Sequence, residues 1–136
     1  MRFIITTVTL LNIIVNISCS ENKPEFAAIE YTDSINVNDV FYKDSLFGSI
    51  EVSNIGSTHL IIKSVQPDCQ CTIVSFDTLP VKPGEKNIIS YFLKLSDTGR
   101  FEKSIVFEAN TDSVFHAVLI SGHAVEKGED SERLLR

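Results

Sequence analysis

Tryptophan is absent from this chain of 136 residues, methionine occurs once and cysteine three times. Positive charge is also scarce: 12 Lys and Arg stand against 18 Asp and Glu, a formal net charge of -6. That balance leaves no basic footprint for a phosphate backbone and excludes nucleic acid as the expected partner. A chain this short leaves no room for a second sizeable domain. Hydrophobic residues at 43% and charged residues at 22% exclude wholesale disorder. Amphipathic helical periodicity is missing too, with no run of ten or more residues that carries it. Signs of a reaction are equally sparse. Gly84-Glu85-Lys86 lacks the earlier glycine and the following helix of a phosphate loop. Glu102, Glu108 and Asp112 read as solvated strand residues, and no nucleophile with a neighbouring base can be named.

One long uncharged run is present. After Met1 and Arg2, residues 3–17 read FIITTVTLLNIIVNI and lead to Ser18-Cys19-Ser20. A positive start, an apolar middle and a small residue before the end read as a secretory signal. The stretch is shorter than the roughly 20 apolar residues a spanning helix needs, and three threonines and two asparagines dilute it. A small residue followed by Cys resembles the lipobox of bacterial lipoproteins, although Asn16 stands where that motif favours an aliphatic residue. The resemblance implies cleavage after residue 18 and lipidation of Cys19. Several acyl chains, at about 0.8 kcal/mol per buried CH2, hold a protein on a membrane, whereas one does so only reversibly. Residues 19–25 then form a polar tether, 26–125 the domain, and 126–136 a charged tail that frays in solvent.

Within 26–125 the pattern is one of short β-type runs divided by turn residues. Strands are expected over 26–31, 40–42, 46–53, 59–65, 71–76, 87–95, 101–109 and 114–125. Leu46, Gly48, Ile50 and Val52 share one face of their strand, as do Ile89, Tyr91, Leu93 and Leu95 of another. Two prolines and a glycine make residues 79–85 a connection rather than the middle of a sheet. Seven or eight short strands with regular turns predict an all-β fold, an antiparallel two-sheet sandwich of immunoglobulin-like type. Phe41, Phe47, Phe92 and Phe107 are assigned to core or sheet packing.

Five segments in order carry a family resemblance: Ile50 to Asn54-Ile55-Gly56, Leu60 to Val65, Asp68-Cys69-Gln70-Cys71-Thr72, Pro80-Val81-Lys82-Pro83-Gly84, and Gly99-Arg100-Phe101-Glu102-Lys103. Together they resemble the bacterial "domain of unknown function 1573" family, whose members share Asn-x-Gly, Cys-Gly-Cys-Thr, Pro-x-x-Pro-Gly and Gly-x-Phe-x-Lys elements. Gln70 replaces the usual glycine between the cysteines. The resemblance implies an immunoglobulin-like domain of a secreted or lipid-anchored protein, many of them from Bacteroidota, and implies no reaction.

Cys69 and Cys71 are the concentrated chemical signal. At i and i+2 in extended chain they point to one face, with sulfurs close enough to bond or to share a ligand. Closing a loop of about three residues removes only about 1.6 kcal/mol of unfolded-state entropy, against about 3 kcal/mol for a 15-residue loop. Several readings stand: a small disulfide stiffening a corner, a redox-active dithiol, a soft-metal site for Cu(I) or Zn completed by His59 or a partner, or inert thiols. His116 and His123, seven apart in one strand, fall on opposite faces and cannot chelate together. The expected function is therefore that of a non-enzymatic binding or assembly module without a cofactor. It would be lipid-anchored outside the cytoplasm of a bacterial cell, on the outer rather than the inner membrane, with an envelope protein or polymer as partner.

Overall fold

Alternation of apolar and polar residues dictates the layout, because each strand must bury one face and leave the other to water. The computed structural model describes residues 26–42 and 44–126. The leader 1–18, Cys19, the tether 19–25 and the tail 127–136 lie outside the described residues. Eight strands follow in order: β1 (Ile29–Tyr31), β2 (Ser34–Phe41), β3 (Ser45–Asn54), β4 (Ile62–Pro67), β5 (Thr72–Ser75), β6 (Lys86–Lys94), β7 (Gly99–Ala109) and β8 (Phe115–Val125). They form two four-stranded sheets, β1-β3-β6-β5 and β2-β8-β7-β4. Apart from β2, this is the strand order of a constant-type immunoglobulin sandwich. No helix occurs among the described residues.

The core lies between the sheets. Ile50, Val52, Ile89 and Leu93 on one side face Ile62, Ile105, Phe107, Val118 and Ile120 on the other, all essentially buried. Each such side chain contributes about 1.5–3 kcal/mol on burial. Phe107 is the largest of them and meets the Tyr31 ring edge-on at 5.2 Å. The expected faces of β3 and β6 are those observed: Ile50 lies opposite Ile89, and both point inward.

The fully antiparallel expectation requires a correction, because β2 runs parallel to β8. The expected first strand divides in two. Ile29–Tyr31 joins β3, and the chain then crosses to the other sheet as β2. β2 is longer than the expected 40–42 because its polar residues conceal it. Ile35, Val37 and Val40 are its partly buried side chains, and the step from odd to even positions spoils the alternation. The cause is a bulge, with Asn36 paired to Ser121 and Asp39 to His123, so that one extra residue is inserted. Gly122 sits in the gap. A Cβ there would lie 2.7 Å from Val37 Cγ2, Val37 O and Phe101 Cζ, so β2 can close on β8 only over a glycine.

The end of the sandwich where β1 begins is closed by Asn54, 1% exposed. Its Nδ2 donates to Thr58 O at 2.8 Å and Val81 O at 2.9 Å, and its Oδ1 accepts from Gly56 N at 3.1 Å. Its backbone N–H donates to Glu85 O, and its carbonyl accepts from Gly84 N. Gly84, at φ 80°, makes the turn that brings that N–H round. Leu60 and Val81, both buried, exchange two backbone hydrogen bonds beside it. Residues 59–61 therefore belong to this closure, and the strand expected from residue 59 begins at Ile62.

Replacing Asn54 by Ala strands the Thr58 carbonyl and the Gly56 N–H and takes from Val81 O one of its two donors, and should destabilise the fold by about 2–4 kcal/mol. Urea unfolding followed by circular dichroism checks it, with the midpoint lowered and the slope unchanged.

Candidate functional site

The connection between β4 and β5 places Cys69 and Cys71 at the end of the sandwich opposite Asn54. They are joined by a disulfide with Cα atoms 5.2 Å apart. Asp68 leads into the corner and ties it to β7: its N–H donates to Ser104 O at 3.0 Å, and its Oδ2 accepts from Ser104 N at 2.9 Å. On the far side Thr72 N donates to Cys69 O, and Lys94 N donates to Cys71 O at 2.9 Å. Cys71 packs on the apolar cluster of Leu93, Leu95 and Ala124, whereas Gln70 between the cysteines is exposed. Thr72, 5% exposed, directs its hydroxyl at both sulfurs, 3.5 Å from Cys69 Sγ and 3.9 Å from Cys71 Sγ. A disulfide carries no hydrogen, so the hydroxyl is the donor in both contacts.

Next to the corner lies an uncovered apolar row. Phe47 of β3 stands opposite Phe92 of β6, which stands opposite Ile73 of β5. All three point away from the core. The two rings pack at 4.8 Å, yet Phe47 is 73% and Ile73 65% exposed. Of the four phenylalanines assigned to packing, Phe107 is in the core, Phe47 and Phe92 pair on this outer face, and Phe41 is substantially exposed. β5, with four residues, is the edge of its sheet, so among the described residues the row ends at a strand with one unpaired side.

The histidines are dispersed. His59 is exposed and lies before the start of β4, with Cys69 beyond its end. A six-residue strand covers roughly 20 Å at about 3.3 Å per residue, so the structure does not bring His59 to the sulfurs. Among the described residues no group of three or more His, Cys, Asp or Glu gathers to hold a metal ion. His116 and His123 fall on opposite faces of β8, as their spacing requires. His123 Nδ1 lies 3.3 Å from Asp39 Oδ1 in an open groove of about 730 Å³, along with Arg100 and Glu102. Glu108 pairs with Lys63 at 3.0 Å, and Asp112 is exposed in a turn.

His116 stacks on Phe107 at 5.0 Å and meets Tyr31 edge-on. Thr111 Oγ1 donates to Ser113 O, which assigns the 2.6 Å contact with His116 Nε2 as a bond donated by the imidazole. Burial pushes the imidazole below its ordinary pKa of 6.5, against a smaller upward effect of the Ser113 carbonyl. The Asp39–His123 groove carried no signal in the sequence, and Thr72 carried one only as the last residue of the family's Cys-x-Cys-Thr element. The groove exists only through the β2 bulge, and the place of Thr72 in the Cys-x-Cys-Thr element said nothing of where its hydroxyl points.

The fold and this corner define a class: an immunoglobulin-like β-sandwich bearing a Cys-x-Cys disulfide at one end. A protein of unknown function from Porphyromonas gingivalis W83 has a similar fold, at 13% identity and a TM-score of 0.64, over 73% of this chain and 47% of that one. The ASH / PapD-like domain of human CEP192 matches at 14% identity and 0.59, over 85% of this chain and 97% of that one. The secreted serine protease VesC from Vibrio cholerae matches at 6% identity and 0.62, over 77% of this chain and 25% of that one. At these identities the likeness is one of fold, and this chain spans about half the length of the Porphyromonas protein and a quarter of the protease. No curated protein matches in sequence. The chain belongs to the family described as "Protein of unknown function (DUF1573)", which it matches over residues 29–124.

Because unfolded His116 takes up a proton that the folded imidazole resists, stability should fall as pH falls below about 6.5 and level off once the folded imidazole titrates. His116→Phe should remove that part of the slope when urea midpoints are compared between neutral and mildly acidic pH.

Proposed function

We propose that this protein is a binding or assembly module of a bacterial cell envelope, lipid-anchored through Cys19 on the extracytoplasmic side, with the outer membrane favoured over the inner. The observation that carries the binding half of this reading is the row Phe47–Phe92–Ile73, which leaves large apolar side chains in water next to the unpaired edge of β5. Rows of this kind on soluble domains mark contact surfaces. An extended protein segment can satisfy such a place twice, by pairing its backbone with the free edge and by laying alternate side chains on the apolar row. That geometry suits an envelope protein better than a polar glycan polymer. The anchoring half rests on Ser18-Cys19 after the apolar leader, with the polar residues 20–25 as spacer.

Two expected outcomes test the two halves separately. Cys19→Ser should move the protein from the membrane to the soluble fraction and abolish the acyl mass on the N-terminal cysteine. An unlipidated wild-type protein would sink the anchor. Phe47→Glu with Ile73→Glu should abolish the cross-linked adduct formed on intact cells while changing stability by no more than about 0.5 kcal/mol per site, as for exposed positions. An undiminished adduct would remove the row from the interface.

A further inference from the structure

The disulfide at residues 69 and 71 is redundant as a staple. It closes one of the shortest loops two cysteines can close, and the corner is already held on both sides by backbone hydrogen bonds. Asp68 is bonded to Ser104, the Cys69 carbonyl accepts from Thr72 N at 3.3 Å, and the Cys71 carbonyl accepts from Lys94 N. Opening the S–S bond breaks none of these.

The Thr72 hydroxyl adds a second, independent observation. It is buried, and its partners are the two sulfurs. A disulfide sulfur is a poor acceptor, whereas a thiolate is a strong one. The donor is thus better satisfied once the bond is broken, and it favours the thiolate form of whichever cysteine faces it. The Asp68 carboxylate, which would oppose a thiolate, is turned onto Ser104. The two sulfurs also differ in their surroundings. Cys71 packs against Leu93, Leu95 and Ala124, while Cys69, partly buried like Cys71, does not join that cluster.

We infer that Cys69 and Cys71 form a thiol–disulfide exchange site serving a dithiol of a partner protein, with Cys69 as the attacked sulfur and the Thr72 hydroxyl as the donor that stabilises the thiolate. A partner thiolate attacks Cys69 Sγ, the Cys69–Cys71 bond breaks, and Cys71 leaves with the electron pair as a thiolate that accepts from Thr72. The partner's second thiolate attacks the partner sulfur of the mixed disulfide, forming the partner's own disulfide and releasing Cys69 as a thiolate. Two electrons pass from the partner dithiol to Cys69 and Cys71, and the two protons shed by the partner thiols return to the cysteine sulfurs through solvent. Run in reverse, the same steps reduce a partner disulfide. This site adds to the binding role above and does not depend on the anchor.

The test uses the full chain carrying Cys19→Ser, which removes the third thiol. Native protein is equilibrated with reduced and oxidised dithiothreitol, quenched with acid, alkylated and weighed intact. The expected result is reversible reduction with an unchanged circular dichroism spectrum and cooperative melting. With oxidised glutathione as probe, Cys71→Ser should form its mixed disulfide at Cys69 at least about tenfold faster than Cys69→Ser does at Cys71, since access and thiolate character set the rate. Thr72→Val in the Cys71→Ser protein should raise the pH at which Cys69 becomes reactive and slow its reaction at neutral pH about tenfold, with Thr72→Ser restoring it. A disulfide that resists dithiothreitol until urea unfolds the chain would overturn the inference, a result read on cysteines 69 and 71 unsubstituted. Equal reactivity of the two cysteines, or a pH profile indifferent to Thr72→Val, would also overturn it.

Discussion

The buried amide of Asn54 is the constraint on which the rest of the molecule depends. Three segments meet at the end of β3: the reversal through Gly56, the pass of Leu60 against Val81, and the Pro83-Gly84 turn into β6. None has a strand ladder long enough to satisfy its own backbone groups. One side chain with two donors and one acceptor satisfies the first two of them, while its backbone holds the third. An amide is the group that suits such a place, because a carboxylate offers no donor and a hydroxyl only one. Asn110 performs a smaller version of this task across the sandwich, accepting from Ile61 N at 2.7 Å and donating to His59 O at 2.9 Å. The two asparagines flank the segment between β3 and β4 and deliver β4 to the opposite sheet at a defined register.

From that closure the chemistry of the far end follows. β4 starts where Asn54 and Asn110 place it and runs along β7, so its end presents Asp68 to Ser104 and turns the two cysteines over the rim. β6, started by the same closure, brings Lys94 to the Cys71 carbonyl and Phe92 between Phe47 and Ile73. The disulfide, the buried Thr72 hydroxyl and the exposed apolar row thus share one end because two strands leave one knot in defined registers. An envelope partner docking on the row would meet the Cys-Gln-Cys corner within the same contact, which joins the two proposals physically without making either depend on the other.

Much of this was legible in the residues. Alternation over Ile50 and Val52 and over Ile89 to Leu93 already specified strands and their inner faces, because side-chain direction in a strand depends only on parity. The turn residues at 54–56, 79–85 and 96–99 marked the ends of elements, because proline and glycine restrict or free the backbone locally. The separation of His116 from His123 was equally plain from an odd interval. The ordered motifs of the family pointed to the fold as a whole. β2 was mostly illegible, since Asn38 and Asp39 carry an extra residue through the strand and a bulge destroys the parity on which such reading rests.

Properties of single residues and their near neighbours could be read without the fold: an acidic chain, strand faces, turns, and two cysteines near enough to bond. Tertiary structure alone decided that β2 pairs parallel to β8, that His59 lies far from the sulfurs, that Phe47 and Phe92 meet in solvent rather than in the core, and that the Thr72 hydroxyl faces the disulfide. Each of these depends on which strands become neighbours and in what register. That choice is settled by burial of both sheets together and by a few buried polar groups that must find partners, not by any stretch of chain alone.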